Sequence, residues 1–242
     1  MARAINESIP EIDIRTKLKE ICKKGWIRTL RKGDTGIGYT LERELGIQEN
    51  NFICSDLTFN KEPVELKTQR RHAISNITLI TKTPHWDPLS ASEIIKKYGY
   101  PDVSGRRGLK VTLNVNNYNA QGLKLVLNGE RLNIIHERDG VICYFVVDEL
   151  MQKLREKLSE HLLLVFADVK KEREAEHFHF NEATYLSSLS EKQFKRLLAS
   201  GLLVFEFRMH LKASGGVRDH GPGFRLNREH IPELYIENED LL

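Results

Sequence analysis

The sequence predicts a mixed α/β fold, an α+β arrangement in which a mixed sheet is flanked by helices, and three observations carry that reading. Helical and strand patterns alternate along the chain without strict strand–helix–strand regularity. Several short strand-like runs between residues 53 and 82 follow one another directly, as hairpin strands do. One run, HLLLVFAD at 161–168, is continuously apolar, the mark of a strand covered on both faces.

Taken in order, residues 11–24 place Ile14, Leu18, Ile21 and Cys22 at helical spacing, with Gly25 as the stop. A Gly-rich turn, Gly33–Gly38, runs into a short helix, YTLEREL, ended by Gly46. Strands are predicted over 53–59, 63–68 and 76–82. Residues 84–110 read as irregular apart from a helix over Ala91–Tyr98 opened by a serine, and they carry a basic cluster of Arg106, Arg107 and Lys110. Two or three strands follow through 111–147, including GLKLVLN and VICYFVV. A helix from Asp148 sets Leu150, Met151, Leu154 and Leu158 on one face and feeds the apolar strand. Ser190 with Gln193 forms a capping box for a helix over 191–200, closed by Gly201. LLVFEFRMH is a further strand, and 213–228 is a Gly-rich basic loop leading into a short one.

At 242 residues the chain suits one large domain or two small ones. The net charge of +3 is mildly basic, so any nucleic-acid binding must come from local patches. No apolar run approaches the roughly 20 residues of a membrane span, and MARAINESIP lacks a signal peptide's apolar centre. Cys22, Cys54 and Cys143 are odd in number, widely spaced and set among apolar neighbours. They read as buried free thiols in a reducing compartment, which points to the cytoplasm.

The most informative stretch is SDLTFNKEPVELK, which ends at Lys67. Strand side chains alternate, so Glu65 and Lys67 share one face and Leu66 takes the other. With Asp56 on the adjoining strand, two carboxylates and one ammonium converge. Mg²⁺ is held by one or two carboxylates plus waters and phosphate, and a neighbouring lysine can orient water or offset charge on a phosphoryl group. Such a set suffices for metal-assisted phosphodiester hydrolysis. The same string also arises by chance as a solvated hairpin face, and spacing alone does not choose.

Other constellations divide between function and packing. The Gly33–Gly38 turn has neither a Walker lysine nor a strand-borne G-x-G-x-x-G, so it reads as a DNA-backbone contact or a plain helix entry. Glu42, on the helix it opens, is an exposed glutamate or a third carboxylate near a metal. His177 and His179 lack zinc-like partners and read as strand packing. Glu206 and Arg208 share a strand face, and Arg218, Asp219, His220, Arg225 and Arg228 crowd the loop and strand that follow. Mixed Arg/acid/His surfaces suit G·C pairs, because Arg bridges guanine O6/N7 and an acid accepts from cytosine N4. A solvated mixed-charge surface is the alternative.

Several strings in order resemble the MvaI/BcnI group of Type II restriction endonucleases, relatives of the mismatch-repair nicking enzyme MutH. They are GW with TGIGYTLERELGIQENN, SDLTFNKEPVELKTQ with NITLITKTP, LLLVFAD with EHFHFNEATYL, and VRDHGPGFRLN. Together they span nearly the whole chain with family-like gaps.

The resemblance implies a PD-(D/E)xK nuclease fold of MutH type, one endonuclease domain over 1–242 with two lobes around a DNA cleft. The catalytic lobe would be roughly 1–85 plus central strands, and the recognition lobe roughly 160–242. Asp56, Glu65 and Lys67 match the catalytic triad, Glu42 the helical glutamate, and Lys82 a lysine shared around the active site. Asp56, Glu65 and the Leu66 carbonyl would hold one or two Mg²⁺ ions. Glu206, Arg208, His220 and Arg225 fall at recognition positions, with Arg218 and Asp219 as further candidates. Serine precedes Asp56 where the family has proline, and Thr81 stands where one branch has a histidine, which leaves the central base preference open. The implied enzyme is a monomer that cuts double-stranded DNA one strand at a time at a CC-x-GG type site, with a cognate DNA methyltransferase as its counterpart. A MutH-like nickase and a catalytically silent DNA-binding module are the competing readings.

Overall fold

The computed structural model describes residues 13–47, 57–71 and 76–242. In chain order its elements are α1 (Ile14–Lys24), β1 (Ile27–Arg28), α2 (Gly36–Leu45), β2 (Leu57–Phe59), β3 (Glu62–Arg70), β4 (Ile77–Thr81), α3 (Ala91–Tyr98), β5 (Tyr100–Pro101) and β6 (Arg107–Leu113). There follow β7 (Leu123–Asn128), β8 (Arg131–His136), β9 (Gly140–Val146), α4 (Val147–Leu158), β10 (His161–Glu172), β11 (Ala175–Leu189) and α5 (Glu191–Ala199). The chain ends with β12 (Val204–Leu211), β13 (Val217–Asp219), β14 (Gly223–Leu226), two 3-10 turns and β15 (Tyr235–Asp240). Cys54 and Asp56 lie outside the described residues.

Two compact units interleave in sequence. The first comprises Met1–Ile74, Leu158–Leu189 and Tyr235–Leu242, the second Ser75–Lys157 and Ser190–Leu234.

The first unit is built on a sheet ordered β1-β11-β10-β3-β2, with β15 also paired to β11. Strand β3 runs parallel to β10, whereas β2 is antiparallel to β3 and β11 to β10. The sheet is therefore mixed, as the alternating patterns predict. Central β10 buries every residue from Leu162 to Ala167, which explains its unbroken apolar run. One sheet face, carrying Val64, Leu66, Leu163, Val165, Phe178 and Phe180, packs with Ile14, Leu18 and Ile21 of α1 and Ile37, Leu41 and Leu45 of α2. Helix α1 starts where the Asp13 carboxylate accepts from the Thr16 N–H and stops at Gly25, whose φ of 71° suits glycine.

Helix α2 opens inside the Gly-rich turn, three residues before the predicted start. A Cβ at Gly36 would collide with the Arg31 carbonyl oxygen and lie 2.8 Å from Thr29 Oγ1, so only glycine lets the turn close this tightly. Buried Thr40 donates to the Gly36 carbonyl (2.7 Å) and accepts from the Leu30 N–H (3.1 Å), which ties the turn to the helix.

The second unit holds a sheet ordered β4-β14-β12-β6-β5, with β13 paired to β12, and a three-stranded meander β7-β8-β9. Its centre is aromatic: Phe145, Phe205 and Phe224 meet pairwise with ring centroids 5.0–5.2 Å apart. Ser90 and Glu93 cap α3 reciprocally, and Ser190 accepts from the Gln193 N–H at the start of α5. Cys143 is buried, which pushes its thiol well up, while Cys22 is only half-buried. Among the described residues no helix is long and apolar enough to cross a membrane.

The strands depart from the sequence-based expectation in three places. The segment taken as irregular contains β5 and the start of β6, so Arg107 and Lys110 sit on a strand, and Arg106 is paired with Asp102 (2.8 Å). The long β11 carries a bulge. Phe166 pairs with Glu182 but Ala167 with Phe180, and Asn181 is skipped, which breaks the period-2 signal. Strand β15 is mostly polar and exposed, as an edge strand is, so hydrophobic alternation does not reveal it.

Gly36→Ala should lower the unfolding free energy by about 1–3 kcal/mol through overpacking. Urea denaturation checks this, and an unchanged midpoint would show the turn can relax.

Candidate active site

The local geometry begins with a hairpin. Phe59 pairs with Glu62, leaving the two-residue loop Asn60–Lys61 with φ of 52° and 67°. Positive φ at both positions marks a type I′ turn, whose twist matches the strands it joins. The turn fixes the register Leu57↔Val64 and Thr58↔Pro63. On the other edge β3 is held by β10, with Glu65↔Leu162, Leu66↔Leu163 and Lys67↔Leu164. Strand alternation then sends Val64 (0% exposed) and Leu66 (7%) into the core and turns Glu65 and Lys67 to the opposite face. There the Lys67 ammonium donates to Glu65 Oε1, and both side chains remain partly exposed. The predicted shared face of Glu65 and Lys67 is thus present.

Glu42 is half-buried on α2, and that helix packs on β3. Its Oε1 lies 3.8 Å from the point where a Cβ at Gly38, one turn earlier, would sit. Among the described residues no three acidic, histidine or cysteine side chains converge as a cage for a metal. The donors present, the Glu65 and Glu42 carboxylates and a strand carbonyl at Leu66, are all hard oxygens. Oxygen donors of this kind are what Mg²⁺ takes, with the rest of its shell drawn from water and substrate.

Farther along the same face, Arg71 closes the end of β3. Its Nε lies 3.1 Å from Asp168 Oδ1 and its Nη1 2.8 Å from Glu182 Oε2, while Nη2 donates to Asn181 Oδ1 (2.8 Å). Asn181 also donates to Asp168 (2.6 Å). The bulge residue is therefore recruited to fasten β3, β10 and β11 together beyond Lys67. On the core side Arg70 pairs with Glu176 (2.8 Å) and donates to the carbonyls of Gly33 and Asp34, so the Gly-rich turn is anchored to the sheet. His177 and His179 lie in β11, with the His179 ring 5.7 Å from Trp26.

The second unit gathers the candidate base-reading side chains. Glu206 Oε2 accepts from Arg208 Nη2 (2.9 Å) and from Arg225 Nη1 (2.6 Å), and Arg225 Nη2 donates to the Asn76 carbonyl (2.9 Å). Burial pushes the Glu206 carboxyl up, but the hydrogen bonds from Arg208 and Arg225 outweigh it, and the net displacement is downward. The His220 N–H donates to the Arg208 carbonyl (2.8 Å), and His220 Nε2 meets His210 Nδ1 at 3.1 Å. His210 is buried, and burial with the nearby Arg106 and His220 moves its imidazole down. Arg218 is exposed, and the Asp219 carboxylate turns back to accept from the Gly221 N–H (2.9 Å).

The chain matches the model of the MvaI/BcnI restriction endonuclease family over residues 15–235. It belongs to that family. Among solved structures it is similar to restriction endonuclease MvaI in complex with its cognate DNA substrate, at 28% identity and a TM-score of 0.67, over 95% of this chain and 97% of that one. It is also similar to MvaI in the absence of DNA, at 27% identity and a TM-score of 0.62, over 98% of this chain and 100% of that one. No curated protein sequence matches it. The fold is accordingly restriction-endonuclease-like, and the chain is a Type II restriction enzyme of the MvaI/BcnI family.

In this MvaI/BcnI enzyme, Glu42, Glu65 and Lys67 fall in the first unit, and Glu206, Arg208, Arg225 and His220 gather in the second. Asp56 lies outside the described residues. Lys82 belongs to the second unit, where its ammonium is 2.8 Å from Glu149 Oε2. The sequence does not reveal that Glu149 pairs with Lys82 and His85, or that His210 meets His220. Glu149 and Lys82 are separated by a whole meander, and no spacing rule links them.

The lowered Glu206 carboxyl fixes the sign of a pH effect. Its folded-state affinity for protons is below the unfolded one, so its stabilisation is present above the ordinary glutamate value of 4.5 and is lost as pH falls through the folded value. Glu206→Gln should therefore melt below the native protein at pH 7, with the gap closing toward pH 3. A gap that stays constant over that range would contradict the Arg208–Glu206–Arg225 account.

Proposed function

We propose that this enzyme hydrolyses phosphodiester bonds of double-stranded DNA with Mg²⁺, acting as a cytoplasmic monomer that cuts one strand at a time. The observation that carries the reading is the Glu65–Lys67 pair, displayed on the polar face of a strand whose other face is locked into the core. Mg²⁺ held by Asp56, Glu65 and the Leu66 carbonyl would supply Lewis-acid neutralisation of phosphate charge and a more acidic water. Glu42 would add a third carboxylate, at one ion or at a second. Lys67, kept close by Glu65, would donate from Nζ to the attacking water or to a non-bridging phosphate oxygen and hold it in line.

The base-reading side of the proposal rests on Glu206. One of its oxygens holds the guanidinium groups of Arg208 and Arg225, which suits bidentate reading of guanine O6/N7. Its Oε1 would accept from cytosine N4. His220, Arg218 and Asp219 would contribute further contacts around the Gly221 turn. Two guanine readers side by side favour a short G·C-rich, nearly palindromic site of CC-x-GG type. MvaI has been captured with a cognate DNA substrate, which supports duplex DNA as the partner here. A DNA methyltransferase of the same specificity would be the functional counterpart that protects host DNA.

The test is incubation of purified protein with supercoiled plasmid and Mg²⁺, beside an EDTA control, with sequencing of the ends. Discrete fragments that form through a nicked circle, absent with EDTA, are expected. A smear without common ends, or cleavage that survives EDTA, would overturn the reading.

A further inference from the structure

Strand β12 carries Glu206, Arg208 and His210 on one face, because Phe205, Phe207 and Met209 fill the core on the other. The candidate base readers all lie on that row or to one side of it. On that side β14 pairs with β12 and supplies Arg225, and β13 sets Arg218 opposite His210. The other side is strand β6.

Strand β6 runs antiparallel to β12, with Thr112 opposite Glu206, Lys110 opposite Arg208 and Gly108 opposite His210. Residues directly opposite in an antiparallel pair share a face. Leu109 and Leu113 are buried, so alternation along β6 likewise turns Lys110 and Thr112 to the readers' face. Both are exposed there. The ladder to β12 and the Tyr100 hydroxyl, which donates to the Lys110 carbonyl (2.8 Å), fix the backbone from which the lysine projects.

Charge on this part of the face is unevenly matched. Glu206 already accepts from Arg208 (2.9 Å) and Arg225 (2.6 Å). Among the described residues the Lys110 side chain meets no carboxylate. Arg208, Arg225 and Lys110 thus stand against the single acid Glu206, an excess that complements an anionic partner.

Spacing separates a base contact from a backbone contact. Adjacent strands lie about 4.8 Å apart, so Lys110 starts about 5 Å to the side of the β12 readers. A major groove is about 12 Å wide, which puts its phosphates about 6 Å from its midline. A four-carbon stem leaning outward covers the remainder, and a compact point charge suits a phosphate oxygen.

We propose that Lys110 anchors the phosphate backbone of duplex DNA beside the bases read from β12, and so sets the register of the duplex on this face. The inference rests on the base-reading proposal above for where the duplex lies. Such a contact positions the DNA and carries no sequence information itself.

The test is equilibrium binding of the full chain to two fluorescein-labelled duplexes in EDTA across a KCl series. One duplex carries the site identified from sequenced cleavage ends, and the other is scrambled. Lys110→Ala should weaken both alike and flatten the plot of log affinity against log salt by about 0.9. At 0.1 M KCl that slope corresponds to about an eightfold loss of affinity. Lys110→Arg should restore the slope, and the melting temperature should hold, since no folded-state partner is lost. Arg208→Ala, by contrast, should lose the preference for the site. An unchanged slope in Lys110→Ala, or a loss confined to the site-bearing duplex, would overturn the inference. If the native preference is intact in that case, this inference falls alone. An Arg208→Ala protein that keeps the preference would strike the base-reading proposal, and with it the place of Lys110 beside the readers.

Discussion

The structure depends above all on the pairing of β3 between β2 and β10. A strand has two faces, and a slip of one residue exchanges them. Here the type I′ turn at Asn60–Lys61 sets one edge and the parallel ladder Glu65↔Leu162 through Ala167↔Arg70 sets the other. With Val64 and Leu66 buried among α1 and α2, no register that hides Glu65 and Lys67 is compatible with the core. The apolar half of the strand thereby positions the polar half. Arg71, fastened to Asp168, Asn181 and Glu182 at the bulge, closes the far end of the same strand.

In the second unit, order comes from shared carboxylates. Glu206 joins two arginines that would otherwise repel, and Glu149 joins Lys82 and His85. In each case one carboxylate ties together two basic side chains, an order that the net charge of +3 spread over the chain would not provide by itself.

Much of this was legible in the sequence because it follows from period. The two faces of β3, the doubly covered β10, α1 and the capped α3 are direct readings of alternation, apolar runs and terminal residues. Family membership was legible because ordered strings are far more specific than D…E-x-K. What escaped has a physical reason in each case. The bulge at Asn181 dephases β11, the charged edge strand β15 carries no hydrophobic signal, and tight sterics at Gly36 start α2 early. The sequence showed Glu206 beside Arg208, but not that one oxygen would bind Arg225 as well. Pairings such as Lys82 with Glu149 or His210 with His220 depend on which strands become neighbours, which a single sequence does not state.

The polar face of β3 is proposed to perform hydrolysis, while its apolar face only holds it in place. The most direct measurement compares Lys67→Ala with the native enzyme for plasmid cleavage in Mg²⁺, with DNA binding and melting followed in parallel. The account requires cleavage to fall by about a thousandfold or more, while melting changes by only a few degrees, since the lost ion pair is exposed, and the duplex is still bound. A Lys67→Ala enzyme that cuts at the native rate would contradict it.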